Sequence, residues 1–65
     1  MIIEIDGIFF NPLLLTQLIE VKNSQEEVIE IIAYFDGDNY VLFENWTCYN
    51  LAARINELIE EFNKK

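Results

Sequence analysis

The sequence of 65 residues has no histidine and contains only one cysteine, one proline and two glycines. Without histidine, the usual general base at neutral pH is missing. The single thiol of Cys48 can form neither a disulfide within the chain nor a cysteine-rich zinc site. Gly7 and Gly37 are isolated, so there is no glycine-rich phosphate loop. These absences predict a protein that is not an enzyme and has no catalytic residues, no metal site and no cofactor.

Basic side chains are also scarce. Four of them stand against twelve acidic ones, which gives a formal net charge of −8. Affinity for nucleic acid depends on Lys and Arg contacts to phosphate, so direct binding of DNA or RNA is not expected. A basic surface on another protein would attract this chain, because complementary fields accelerate encounter. The alternative is that the acidic side chains serve only to keep a hydrophobic small domain soluble.

No hydrophobic run is long enough to cross a bilayer. The longest uncharged stretch, residues 7–19, is interrupted by Asn11, Pro12, Thr16 and Gln17. The start of the chain carries Glu4 and no basic cluster, which is unlike a secretory signal. We therefore expect no membrane association and a cytoplasmic location.

The hydrophobic spacing predicts one α+β domain over residues 1–65. In it, an antiparallel sheet of about four to five strands, built from two hairpins, packs on one C-terminal helix. Asp6-Gly7 and residues 36–39 are the hairpin turns, and residues 28–35 and 40–44 are the strands around the second turn. Residues 13–15 are predicted as a short turn before a strand over about 16–22, although the leucines there also fit a helical turn.

The helix follows from one apolar stripe at helical spacing, formed by Leu51, Ile55, Leu58, Ile59 and Phe62. Thr47 is the predicted N-cap, with its hydroxyl accepting from the amide of Asn50.

A single helix can cover only one face of the predicted sheet. If Ile29, Ile31, Phe35, Val41 and Phe43 face the helix, the opposite face is still rich in apolar side chains. A one-sided antiparallel sheet normally has a polar outer face, so we expect this second face to be covered. The predicted oligomer interface is therefore Val28, Ile32, Tyr34, Tyr40 and Leu42. The alternative is that the N-terminal hairpin and the turn at 13–15 fold over that face within one chain.

A second candidate site is acidic. Spaced carboxylates on the second hairpin and on the helix could mimic phosphates and bind a basic partner; they are Asp36, Asp38, Glu44, Glu57, Glu60 and Glu61. The alternative is a solvated helix face, in which Arg54 pairs with Glu57. Residues 36–39 also offer oxygen ligands at alternate positions, but they lack the distal bidentate Glu of a calcium loop.

The order of elements resembles that of a known family. The stretch Ile5-Asp6-Gly7-Ile8-Phe9-Phe10-Asn11-Pro12-Leu13-Leu14-Leu15, then Phe35-Asp36-Gly37 before Tyr40-Val41-Leu42, then an amphipathic helix, is similar to small FlbD-type flagellar proteins. It is also similar to short uncharacterised bacterial and phage proteins. This resemblance implies a β-rich fold with one terminal helix and no enzyme activity. Asp38 and Glu44 depart from the more basic second hairpin of the flagellar family.

Three functions are compatible with these observations. The first is an acidic homo-oligomer that blocks a basic, nucleic-acid-binding surface of a partner protein, in the manner of phage-encoded inhibitors of host defence such as anti-CRISPR proteins. The second is a sponge that binds a small molecule in a groove between subunits, where Tyr34 and Tyr40 could stack on a planar ligand. The third is a regulator of the FlbD type.

Overall fold

A three-stranded antiparallel sheet forms the centre of the fold. The computed structural model describes residues 1–64. Strand β4 (Val28–Phe35) lies between β3 (Leu15–Lys22) and β5 (Asn39–Glu44). All three strands are rich in β-branched and aromatic side chains, which suit a pleated surface. The predicted bounds of these strands agree with the structure to within one residue.

The N-terminal hairpin forms a separate two-stranded sheet from β1 (Ile3–Ile5) and β2 (Ile8–Phe10). Asp6 and Gly7 close it with φ values of 54° and 79°, as a two-residue type I′ turn requires. The α+β class is confirmed, but the five strands are divided between two sheets and not joined in one. The division follows from a 3₁₀ turn at Pro12–Leu14, where the Asn11 side chain accepts from the Leu13 amide at 3.0 Å and redirects the chain.

The one α-helix within residues 1–64, α1, spans Cys48–Asn63. Thr47 is its N-cap, and its hydroxyl accepts from the Asn50 amide at 3.1 Å, which confirms the predicted start. Exposure along the apolar stripe increases toward the C-terminus of the helix. Leu51 and Ile55 are buried, the next two members are half-buried, and Phe62 is exposed. The helix therefore packs mainly through its first half.

The hairpin and the helix cover the same face of the three-stranded sheet, which we call the inner face. The buried core joins residues from all three parts: Ile3, Ile5, Phe10, Ile31, Ala33, Phe43, Leu51 and Ile55. The ring of Phe10 lies 5.4 Å from that of Phe35 and 5.8 Å from that of Phe43. The alternative in which the hairpin folds over the opposite face is therefore wrong.

A hydrogen bond outside the core holds the hairpin near the start of the helix. The indole N–H of Trp46 donates to the Asp6 carboxylate, with 2.8 Å between Nε1 and Oδ2. Asp6 belongs to the β1–β2 turn and Trp46 precedes the helix N-cap, so the bond links two segments 40 residues apart.

The predicted faces of β4 are correct except at its start. Ile29 was expected on the inner face but is 51% exposed, whereas Val28 is half-buried and packs against the core. The register of β3 and β4 shifts between Val21 and Lys22, opposite this end of β4. Such irregularities bend a strand and increase its twist, which re-aims the side chains beside them. Val28 is therefore not an outer-face residue, contrary to its predicted place in an oligomer interface.

Candidate interaction surface

The second face of the three-stranded sheet, the outer face, is covered by no other element among residues 1–64. Residues paired across neighbouring strands share a face, so the register places three rows of three side chains on it. At one end lie Gln17, Tyr34 and Tyr40. The middle row is Ile19, Ile32 and Leu42. At the other end lie Val21, Glu30 and Glu44.

The outer face is apolar through its centre. Leu42 is 45% exposed and Ile19 is exposed, while Ile32 between them is half-buried. Tyr40 is 62% exposed and its ring is tilted against that of Tyr34, with 6.1 Å between centroids. Burying one Ile or Leu side chain fully is worth about 1.5–3 kcal/mol, which is a large fraction of the roughly 5 kcal/mol expected for a domain of this size. In a single chain, the exposed apolar side chains of the outer face therefore do not contribute the stabilisation that their full burial would give.

Four of the five residues predicted for an oligomer interface lie on the outer face. Ile32, Tyr34, Tyr40 and Leu42 are there, and Val28 is not. The sequence prediction omitted Ile19 and Val21, which the register of β3 adds to the same surface. Their alternation with Leu18, Glu20 and Lys22 was the available signal, and it was obscured because the leucines just before it also fit a helical turn.

The six acidic residues predicted to bind a partner are not gathered into one patch. Asp36 and Asp38 occupy the β4–β5 turn, and Glu44 lies at the opposite end of β5, on the outer face. The helix lies against the inner face, so the sheet separates its carboxylates from Glu44. Residues 1–64 contain no group of three or more Asp, Glu or Cys side chains placed to hold a metal ion.

The three helix carboxylates do form a local cluster. Glu57, Glu60 and Glu61 are exposed, and spacings of three and four residues bring them to one side of the helix. Arg54 reaches into this cluster and forms an ion pair with Glu57, with 3.3 Å between Nη1 and Oε1. It is the one ion pair within residues 1–64. Most of the acidic charge of the described chain therefore meets solvent without a paired cation.

The start of the helix carries an acidic contact that the sequence analysis did not anticipate. Glu20 projects from β3 on the inner face, and its Oε2 accepts from the Cys48 amide at 3.0 Å. Burial, and secondarily the negative charge of Glu20, raise the pKa of the Cys48 thiol. A carboxylate thus occupies the helix N-terminus, where a dipole would otherwise favour a thiolate. The placement works against a nucleophilic role for Cys48.

The described part of the chain contains neither a pocket nor a membrane-spanning helix. Residues 1–64 form no pocket, so a site of the sponge type would need walls from a second chain. The helix found there is neither long nor apolar enough to span a membrane. No family model, no curated protein and no solved structure matches this chain. The resemblance to FlbD-type and phage proteins therefore remains a prediction.

Proposed function

We propose that this chain is a non-enzymatic interaction protein, a small acidic homo-oligomer that blocks a basic, nucleic-acid-binding surface of a partner protein. The observation that carries the proposal is the apolar outer face, which the fold leaves uncovered although the hairpin and the helix were both available to cover it. Surfaces of this kind, rimmed by polar residues, mark contacts with other protein surfaces.

The charge of the chain supports the choice of partner. The net charge is −8, and the carboxylates of the helix cluster and of the β4–β5 turn are exposed. Self-association would double the charge to 2 × −8 = −16 on one particle. A strongly acidic particle is repelled by nucleic acid and attracted to the proteins that bind it. The class of function is that of phage-encoded inhibitors of host defence, and the single thiol is compatible with a reducing cytoplasm.

Within this proposal, the helix cluster is the better candidate for partner contact. Glu57, Glu60 and Glu61 are neighbours on one exposed side, whereas Asp36, Asp38 and Glu44 lie at opposite ends of a hairpin. Contact between acidic and basic surfaces accelerates association and is weakened by salt, because the Debye length shortens from about 10 Å at 0.1 M to about 3 Å at 1 M.

The test is competition. Basic bacterial proteins that are retained on heparin would first be bound to a fluorescent oligonucleotide. The chain would then be added in increasing amounts while the anisotropy of the oligonucleotide is measured. The titration would be repeated at increasing NaCl concentrations. The proposal expects the chain to displace the oligonucleotide at low salt and to lose potency as salt increases. No displacement at low salt, or displacement indifferent to salt, would contradict it.

A matched pair of variants distinguishes the effect of the helix cluster on potency from the effect of the total net charge. Glu57→Gln/Glu60→Gln/Glu61→Gln and Glu4→Gln/Glu26→Gln/Glu27→Gln each remove three negative charges from exposed positions. Only the first should lose potency markedly. Equal losses would mean that total charge acts and that the helix cluster is not the contact.

A further inference from the structure

The outer face carries its polar groups in an order that makes it complementary to itself. Its hydrogen-bond donors, the Gln17 amide and the hydroxyls of Tyr34 and Tyr40, are all in the first row. Its carboxylates, Glu30 and Glu44, are both in the third row, and the row between them is wholly apolar. Among residues 1–64, no basic side chain lies on the face. The two polar rows are four residues apart, about 13 Å along a strand, so they do not meet within one chain.

We infer that the outer face docks on the outer face of a second copy, with the strands of the two sheets running in opposite directions. This inference rests on the proposed homo-oligomer and names its interface. A two-fold axis that lies along the middle row places Ile19, Ile32 and Leu42 on their own counterparts. The same axis places the tyrosine row of each copy over the carboxylate row of the other, so that phenol hydroxyls donate to Glu30 and Glu44.

The other symmetric arrangement is disfavoured by charge. A two-fold axis parallel to the strands would keep the strand directions and set Glu30 directly over the Glu30 of the partner. Two carboxylates brought together without a cation repel each other, and burial intensifies the repulsion. In that arrangement the tyrosine hydroxyls would face the opposite tyrosine row and leave both carboxylate rows without donors. The order of polar groups therefore selects the strand-reversed dimer.

The size of the face sets the expected affinity. Specific interfaces of standard size bury about 20–30 residues on each side. The outer face presents nine side chains, so we expect a weak dimer with a dissociation constant of roughly micromolar or above. Two packed sheets lie about 10 Å apart with strands aligned within about 30°, which keeps each row over its counterpart.

The first test is sedimentation equilibrium of the full chain across a wide range of concentration. The chain mass is 7.7 kDa, and we expect the weight-average mass to approach twice that value as concentration increases. Leu42→Glu places two more charges against each other at the centre of the interface and should hold the mass at that of the monomer. Phe9→Glu is the matched control, because Phe9 is 68% exposed on the N-terminal hairpin, away from the outer face. Circular dichroism checks that both variants fold.

The second test reads strand direction through a disulfide. In a Cys48→Ser background, Leu42→Cys should cross-link to itself under mild oxidation, since Leu42 faces Leu42 in the strand-reversed dimer. In the other arrangement Leu42 faces Ile19, so cross-linking would need a mixture of Leu42→Cys and Ile19→Cys chains. Phe9→Cys measures the background of random collision.

The outcomes separate this inference from the proposed blocking function. Self-cross-linking of Leu42→Cys above the Phe9→Cys background supports the strand-reversed dimer. A Leu42–Ile19 cross-link overturns the orientation, and a dimer that survives Leu42→Glu overturns the interface. If the chain stays monomeric at all concentrations, a second copy does not cover the outer face. The same conclusion follows if a heparin-retained protein protects Leu42→Cys from alkylation. Salt-sensitive displacement of the oligonucleotide can persist in each of these cases.

Discussion

Replacement of Glu20 tests whether a strand side chain holds the start of the helix. Thr47 satisfies the Asn50 amide at the first turn, and Glu20 satisfies the amide of Cys48 from across the inner face. Glu20→Gln keeps a side-chain oxygen for that amide and removes the charge. Glu20→Ala removes both, and it leaves a partly buried N–H without a partner. The two variants therefore separate the hydrogen bond from the interaction of the carboxylate with the helix dipole.

The magnitudes follow from these two contributions. A negative charge near a helix N-terminus contributes about 0.3–1 kcal/mol, so Glu20→Gln should lower the free energy of unfolding by that amount. A hydrogen bond to a charged group contributes about 1.5–3 kcal/mol, so Glu20→Ala should cost about 2 kcal/mol or more. Urea unfolding followed by the fluorescence of Trp46, the one tryptophan, measures both. A loss below about 0.5 kcal/mol for Glu20→Ala would refute the reasoning.

The thiol of Cys48 provides an independent reading of the same contact. Because the Glu20 charge is the second cause of its raised pKa after burial, Glu20→Gln should lower the pKa of the thiol while leaving it above the ordinary value. The pH dependence of iodoacetamide alkylation measures that change. The pKa of the Cys48 thiol is higher in the folded chain than in the unfolded chain. Its contribution to stability is therefore fully present at pH values below the unfolded pKa, and it is lost as the pH rises through the folded pKa. The wild type should therefore lose stability at alkaline pH, and Glu20→Gln should lose less.

Three further predictions concern the core, a turn and the outer face. Phe43→Ala should lower the free energy of unfolding by about 3–5 kcal/mol, since Phe43 is among the largest fully buried side chains. Cooperative thermal unfolding with a loss below about 1 kcal/mol would contradict its central role in the core. Gly37→Ala should cost about 1–2 kcal/mol in urea unfolding because its φ is +88°, and an unchanged midpoint would argue against that turn geometry. The midpoint of thermal unfolding should rise with protein concentration in the wild type and stay constant in Leu42→Glu, and parallel behaviour of the two would count against the dimer.

Much of this fold could be predicted because the local signals agree with one another. Strand β4, the Asp6-Gly7 turn and the Thr47 cap each combine a hydrophobic period with residues suited to their backbone. The separation of the hairpin from the main sheet could not be predicted, because strand periodicity does not say which strands pair. The exchange of Val28 and Ile29 arises from an irregularity within β4, because Val21 and Lys22 pair with Glu30 and Val28 and leave Ile29 as an extra residue between them. The alternation of apolar residues along the sequence does not reveal such an extra residue.

The predicted sites differ in how much of them was visible in the sequence. Ile32, Tyr34, Tyr40 and Leu42 were found because alternation fixes a face once a hairpin register is known. The predicted acidic site depends on charge and chain position alone, and neither determines how far apart the carboxylates lie in the fold. Glu20 was missed although it alternates with Leu18 on the inner side of β3. A carboxylate at an inward position must find donors, and the nearest unpaired amides in such a fold are at a helix N-terminus.

The proposed association depends on how the two faces of the three-stranded sheet are covered. Both the N-terminal hairpin and the C-terminal helix contribute their buried side chains to the inner face. Within residues 1–64 no further helix or strand lies on the outer face. Polar substitution of the middle row would have removed the need for cover, yet that row is Ile19, Ile32 and Leu42. Since a row that contains polar side chains lies on each side of it, the apolar row is confined to the centre, where the proposed second copy would exclude water most completely.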